Sequence, residues 1–360
     1  MTDLAEQTLD SRAAVAECLR GKSDQCLGLG SRLYGELFAS AANDVARGGL
    51  TWGVLREHAR DGEGSALALR FASAVHRIVL EGGAPRLARH YPSAGGSADR
   101  PGLWPAFEAV LAEHSERLRG LVARPLQTNE VGRSAALLSG FLTVARDTAL
   151  PLRLLELGAS AGLNLLWDAY RYEAGGASLG PPDSPVRFSS VFEGRTPQLD
   201  VSAPIASRRG CDANPLNPRA QETRLTLLSA TWPDQTDRVE RLDGALRLAR
   251  EGPPTVDRAG VCQWLQAGLA EVHEGVATVV FHSIVWQYLS ERDRRRLVST
   301  LDEAGARATS RAPLAWLRME PPGELATVRL TTWPGGADRV IARAGYHGDP
   351  VIGCRGELGA

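Results

Sequence analysis

The stretch from Leu152 to Leu166, LRLLELGASAGLNLL, limits what this chain can fold into more than any other. A short apolar run (Leu152, Leu154, Leu155, Leu157) carries the acid Glu156 near its end, then breaks at Gly158-Ala159-Ser160-Ala161-Gly162. A helix-like pattern follows from Leu163 to Tyr170. Strand, small-residue loop and helix start in that order place backbone N–H groups at a helix N-terminus, suited to an anion or to the hydrogen-bonding tail of a cofactor. Small residues let a ligand approach the backbone, and Gly tolerates positive φ. An ordinary tight strand-to-helix turn in an α/β domain has the same outline. A dinucleotide loop needs G-x-G-x-x-G. Counted from Gly158, this chain has Ser160 at the second Gly and Leu163 at the third, a poor fit. Read as E-x-G-x-G-x-G it offers Glu156, Gly158, Ser160 and Gly162, with only the middle Gly changed.

A chain of 360 residues is long enough for two domains. The net charge of −1 gives no pull toward nucleic acid or acidic membranes. Lys22 is the only lysine, and the arginine excess reads as a coding bias. Five cysteines, an odd number without C-x-x-C, argue against a disulfide framework or a zinc ribbon and fit a reducing cytoplasm. The opening MTDLAEQTLD lacks an apolar signal-peptide core, and no apolar run reaches transmembrane length. No metal site is expected.

Residues 1–125 read as a helical domain. Leu33, Tyr34, Leu37, Phe38, Ala41 and Val45 keep helical spacing and stop at Gly48-Gly49; Phe71 to Val79 do the same before Gly82-Gly83; Trp104 to Leu121 form a third stripe. Residues 126–360 read as an α/β domain. Gln127 to Arg133 opens a helix to about Ala145, with Thr128 or Asn129 as its cap. Its polar cluster also suggests that Asn129, Glu130 and Arg133 face a cofactor or substrate. A β-rich insertion is expected at about 171–207, with Val186 to Val191 as a strand or ribbon.

Asp212-Ala213-Asn214-Pro215 reads as an acid at a strand end or as an Asx-turn. Leu225 to Arg250 is helical, interrupted at Trp232-Pro233-Asp234, and Pro253 to Asp257 is a strand. Ala277 to Ser283 is Val-rich and suits a strand buried on both faces of a parallel sheet. His282 and Ser283 then lie at its carboxyl end, where open α/β sheets bind ligands. A His there serves as a general base, orients a substrate, or is simply satisfied by local backbone. Trp286 and Tyr288 could line a wall, and Ser290 caps the next helix. Pro313 to Pro322 is a fifth strand with Glu320 at its end. Leu325 to Trp333 and Arg339 to Tyr346 flank Pro334-Gly335-Gly336-Ala337-Asp338, a hairpin signal. His347-Gly348 then belongs to the pocket or to a turn.

From Gln127 to Ile352 the chain resembles the class I S-adenosylmethionine-dependent methyltransferases. Within them, QTNEVGR, LLELGASAGLN, GCDANPLNP, VVFHS and the WPGG hairpin look like a bacterial family of methyltransferase-like proteins. The resemblance implies a Rossmann-like sheet with a C-terminal antiparallel hairpin, preceded by an all-α domain acting as lid or substrate domain. It implies S-adenosylmethionine as cofactor. Gly158, Ala159, Ser160 and Gly162 would cradle the methionine part, and Glu156 and Asn164 would support the loop. Asp212, with Asn214, would hold the ribose; Asp257, or more weakly Gln263, would contact adenine. His282 or Glu130 would deprotonate the acceptor, and Asn129, Arg133, Ser283, Trp286, Tyr288 and Glu320 would bind it. Two departures stand out: Asp212 lies 50 residues after Gly162, and Ser160 replaces a Gly. The expected activity is methyl transfer to a small molecule, without nucleic acid or membrane partners. The alternatives are a non-methyl reaction on the same fold (elimination or cyclisation), a role as subunit of a complex, and a non-enzymatic binding module. Homo- and hetero-oligomers stay open.

Overall fold

A computed structural model describes residues 2–61, 65–99, 101–321 and 323–354. The chain forms two compact units, Met1–Thr128 with Arg224–Glu240, and Asn129–Thr223 with Arg241–Ala360. Among the described residues no helix is long and apolar enough to cross a membrane.

The first unit is helical: α1 (Thr2–Gly28), α2 (Arg32–Ala46), α3 (Leu50–Leu55), α4 (Leu67–Leu80), α5 (Pro85–Ala88), α6 (Leu103–Glu113) and α7 (Ser115–Val122). Ser31 caps α2 through the amide of Tyr34. The apolar stripes of α2 and α4 bury in one core with Phe107, Leu111, Leu118 and Val122. The stripe expected from Trp104 to Leu121 is cut at His114 into two helices. The core also takes Trp232 from the distant segment 224–240, packed against Tyr34. Two residues on, Asp234 accepts hydrogen bonds from Ser31 Oγ (2.7 Å) and the Leu33 amide (3.1 Å) at the start of α2. The break at Trp232-Pro233-Asp234 is therefore a peg that completes the helical unit.

The second unit begins with α8 (Arg133–Thr148) and β1 (Leu152–Leu157). An insertion follows: β2 (Arg171–Ala174), β3 (Ala177–Leu179), β4 (Arg187–Phe188) and β5 (Phe192–Gly194). Next come β6 (Ile205–Asp212), α9 (Gln221–Ala230), α10 (Thr236–Glu251), β7 (Thr255–Arg258), α11 (Val261–Gly268) and β8 (Ala277–Ser283). The chain closes with α12 (Glu291–Gly305), β9 (Leu314–Glu320), β10 (Ala326–Trp333), β11 (Ala337–Ala344) and β12 (Val351–Gly353). It passes to the helical unit within α9 and returns within α10. The main sheet has the order β5-β12-β11-β10-β9-β8-β1-β6-β7, and β3-β2-β4 form a small separate sheet. Strands β7, β6, β1, β8 and β9 are parallel, β10 is antiparallel to both β9 and β11, and β12 is antiparallel to β11. The protein is thus α/β, with a helical N-terminal region and a large, mostly parallel sheet. Strand β1 lies at its switch point: the chain proceeds from β1 to β6 on one side and returns to β8 on the other, which opens a crevice at the carboxyl ends.

Burial follows these positions. All seven residues of β8 are buried, as a parallel strand covered on both faces requires. Side chains alternate between faces. Leu155, Leu157 and Val280 join Leu265 of α11 and Leu297 of α12, whereas Phe281 meets Phe141 of α8, itself stacked on Trp167. Gly140 lets α8 approach the sheet, since a Cβ there would come within 2.3 Å of Leu317.

Three expected elements differ. The helix expected from Leu163 to Tyr170 is a 3-10 helix, Leu163–Ala169, non-helical at Leu166. Tyr170 terminates it, its hydroxyl bonding back to the Leu163 carbonyl (2.5 Å). The helix expected from Gln127 starts only at Arg133, because Asn129 spends its side chain elsewhere, as described below. The strand expected over 186–191 shrinks to Arg187–Phe188, with the β2–β3 hairpin carrying most of the insertion's pairing.

Candidate functional site

The loop after β1 is wound by three successive left-handed residues at alternate positions, Gly158 (φ 69°), Ser160 (φ 54°) and Gly162 (φ 75°). Gly158 is needed for space as well, because a Cβ would come within 2.7 Å of Val285. Its backbone N–H groups are occupied by the protein. Gly158 bonds the Cys211 thiol, Ala159 the Cys211 carbonyl (2.9 Å), and Ser160 the Asp212 carboxylate (2.9 Å). Ala161 and Leu163 both donate to Asn129 Oδ1 (3.1 Å each), and Gly162 to the Ala159 carbonyl (2.7 Å). The expected row of anion-binding amides is therefore absent from residues 158–163. Asn129, expected on a substrate, holds the loop. Asp212 does the same from β6, with its second oxygen on the Asn214 amide (2.8 Å), the Asx-turn alternative.

Buried polar oxygens remain without a partner. Glu156 Oε2 and Ser160 Oγ are both buried and have none. Asn164 bridges this region, accepting from Ser134 Oγ (2.7 Å) through its own Oδ1 and hydrogen-bonding Glu156. Burial, and then the negative charge of Asp212, push the Glu156 carboxyl well above its ordinary range, so it holds its proton. The Cys211 thiol beside it is pushed up to about 12 by burial, which removes it as a nucleophile.

The start of α8 adds the remaining charged groups. Arg133 donates Nη1 to the Ser283 carbonyl at the end of β8 (3.2 Å) and Nε to the Tyr346 carbonyl (3.1 Å). Glu130 pairs with His347 Nδ1 (3.3 Å), and its other oxygen accepts from the Gly132 amide (3.3 Å). His347 thus belongs to the site rather than to a bare turn. Just past β8, Ile284 adopts φ 55°, a strained conformation for a β-branched residue, located at the switch point.

Three expected site residues, His282, Glu320 and Asp257, lie on the opposite face of the sheet. His282 follows Phe281, so it turns away from α8. It is 1% exposed. Trp316 Nε1 donates to His282 Nε2 (3.0 Å). An indole only donates, so Nε2 must accept, and Nδ1 carries the proton given to Glu320 (2.7 Å). With its lone pair occupied, His282 is not placed as a general base. Glu320 also accepts the Val285 amide (2.8 Å), so this group fixes the loop after β8. Trp286 stacks on His282, centroids 6.1 Å apart, while Tyr288 is 70% exposed. Asp257 is taken by Arg209, which donates to both oxygens (2.6 and 3.0 Å), and by Trp264 Nε1 (2.6 Å). Asp257 is thereby tied to β6 and α11, and Asn214 Oδ1 is held by Arg258 (3.0 Å). Trp316, Ser134 and Tyr170 carried no sequence signal, because each acts through a contact made only on folding.

The result is a crevice above β1 with Glu130, Glu156 and Asp212 against Arg133 and His347. Among the described residues no cluster of His, Cys, Asp or Glu could hold a metal ion. The fold and site define an α/β protein whose open sheet gathers Glu130, Glu156, Asp212, Arg133 and His347 about the carboxyl ends of its central strands. Residues 16–352 match the family described as an uncharacterized protein conserved in bacteria (DUF2332). The chain belongs to this family. Comparison with curated proteins finds no match.

Proposed function

We propose that this protein is a methyltransferase of the class I, Rossmann-like kind, which binds S-adenosylmethionine above β1 and acts on a small acceptor. The carrying observation is the chemistry of the loop after β1. Its amides are consumed, which disfavours phosphate, and two buried polar oxygens without partners, the Glu156 carboxyl Oε2 and the Ser160 hydroxyl, are left to hydrogen-bond a ligand. The carboxylates of Asp212 and Glu130 beside this loop suit a ligand with a sulfonium, an ammonium and sugar hydroxyls better than a dinucleotide. Gly158, Ser160 and Gly162 would hold the methionine part and Asp212 the ribose. The cofactor supplies the methyl group; the chain supplies position. The Glu130–His347 pair just before α8 would take a proton from the acceptor.

Calorimetric titration of the full chain with S-adenosylmethionine and S-adenosylhomocysteine tests this. Saturable binding is expected, weakened about tenfold or more by Asp212→Asn. Absence of binding by either compound at millimolar concentration overturns the reading.

One observation favours a second reading, in which the fold serves another ligand and a non-methyl reaction. Asp257 and Asn214, the groups expected near adenine and ribose, are already paired within the protein. A nucleoside-free ligand co-purifying with the protein would favour it.

A further inference from the structure

A second site lies in the same unit, away from the carboxyl ends of the central parallel strands β1, β6 and β8. A cleft of about 290 Å³ opens between the second half of α8, the segment around 195–198 and strands β11 and β12. Three arginines line it, each from a different element: Arg146 of α8, Arg195 after β5, and Arg339 of β11. Among the described residues, the one carboxylate bonded to these arginines is Asp147. Arg146 donates Nε (2.9 Å) and Nη2 (2.7 Å) to Asp147 Oδ1 and Nη1 to Gln198 Oε1 (2.6 Å). Arg339 donates Nη2 to Asp147 Oδ2 (3.2 Å). Arg339 Nε is buried without a partner, and Arg195 is exposed and takes no part in these bonds. Leu142 and Ile341 give the cleft an apolar wall.

We propose that this cleft binds a small organic phosphate. Its positive charge exceeds what Asp147 neutralises, which matches a dianion. Asp147 also shows what a planar, two-oxygen anion achieves here: it spans Arg146 and Arg339 and leaves Arg195 out. A tetrahedral phosphate presents oxygens in enough directions for three guanidinium forks from three elements. The volume sits at the lower end of small-molecule sites, roughly 300–1,000 Å³, which excludes a large ligand. The apolar wall receives the organic part.

Calorimetry of the full chain at constant ionic strength, with phenyl phosphate, inorganic phosphate and succinate as probes, tests the assignment. Both phosphates are expected to bind about tenfold or more tightly than succinate. Arg195→Gln, at the exposed rim and without a folding role, should weaken phenyl phosphate about tenfold, and Arg339→Gln should do likewise. Asp147→Asn should tighten it, by removing the competing carboxylate. Succinate binding as tightly as phosphate overturns the phosphate assignment. Phosphate affinity unchanged in both Arg195→Gln and Asp147→Asn overturns the site.

Discussion

Glu156 is a carboxylic acid that the fold keeps protonated. It is 3% exposed, faces Asp212, and has one oxygen without a partner. Its proton affinity is raised on folding, and this fixes the sign of its effect. Below the ordinary carboxyl value of 4.5 both folded and unfolded chains hold the proton, and nothing is lost. Above it the unfolded chain releases the proton while the folded chain keeps it, so stability falls as pH rises. Glu156→Gln keeps the shape and the contact with Asn164 but removes the titration. Its urea midpoint should exceed that of the wild type, by a margin that widens as pH rises above 4.5. Parallel midpoint curves would show that Glu156 ionises freely. The acid was visible in the sequence as the last polar residue of an apolar strand. Its protonation was not, because that depends on Asp212 and Asn164 being folded around it. The same holds for His282. Its place at a strand end was legible, but the direction of its ring and the donor-only indole of Trp316 were not.

At the scale of elements, α4 and the segment 224–240 are joined through a buried imidazole. His76 is fully buried, with Nδ1 at 3.1 Å from the Ser229 carbonyl and Nε2 at 2.7 Å from Ser93 Oγ. Burial lowers its affinity for a proton from 6.5 to about 4. The folded unit therefore binds fewer protons than the unfolded chain between these values. The stabilisation is complete above pH 6.5 and disappears as pH falls toward 4. The loss is roughly 3 kcal/mol at the acid end. His76→Asn should flatten the acid limb of a urea-midpoint profile; an unchanged limb would place the sensitivity elsewhere. Elements of this size were largely readable. The apolar runs of β1, β8 and β9, the β10–β11 hairpin around Pro334-Gly335-Gly336, and the stripes of α2 and α4 all have the period their element demands. The 3-10 helix after Gly162 was not readable, since its apolar residues suit either helix type and Tyr170 decides the ending through a hydrogen bond to Leu163. The loop's role was half legible: its glycines announced tight backbone, while the use of its amides depended on Asn129, some thirty residues upstream.

For the molecule as a whole, sequence order and structural units do not coincide. A boundary near residue 125 separates helices from strands along the chain, yet the helical unit draws Trp232 and Asp234 from far downstream. A single cut in the 123–128 region should therefore leave the two fragments co-eluting under native conditions, with separation only in denaturant. Fragments that part in native buffer would show that the peg contributes little. Trp232→Ala should abolish the association, since deletion of a buried Trp side chain costs about 3–5 kcal/mol. The peg also sets a schedule during synthesis. When residue 128 has been made, the helical unit still lacks a core side chain and the partner for the start of α2. Ninety-five further residues must be added before the segment at 224 begins to emerge. At about 5–20 residues per second that is a wait of roughly 5–20 s. During it the first helices keep an open seam, and the ribosome delivers the whole insertion before the part that closes it.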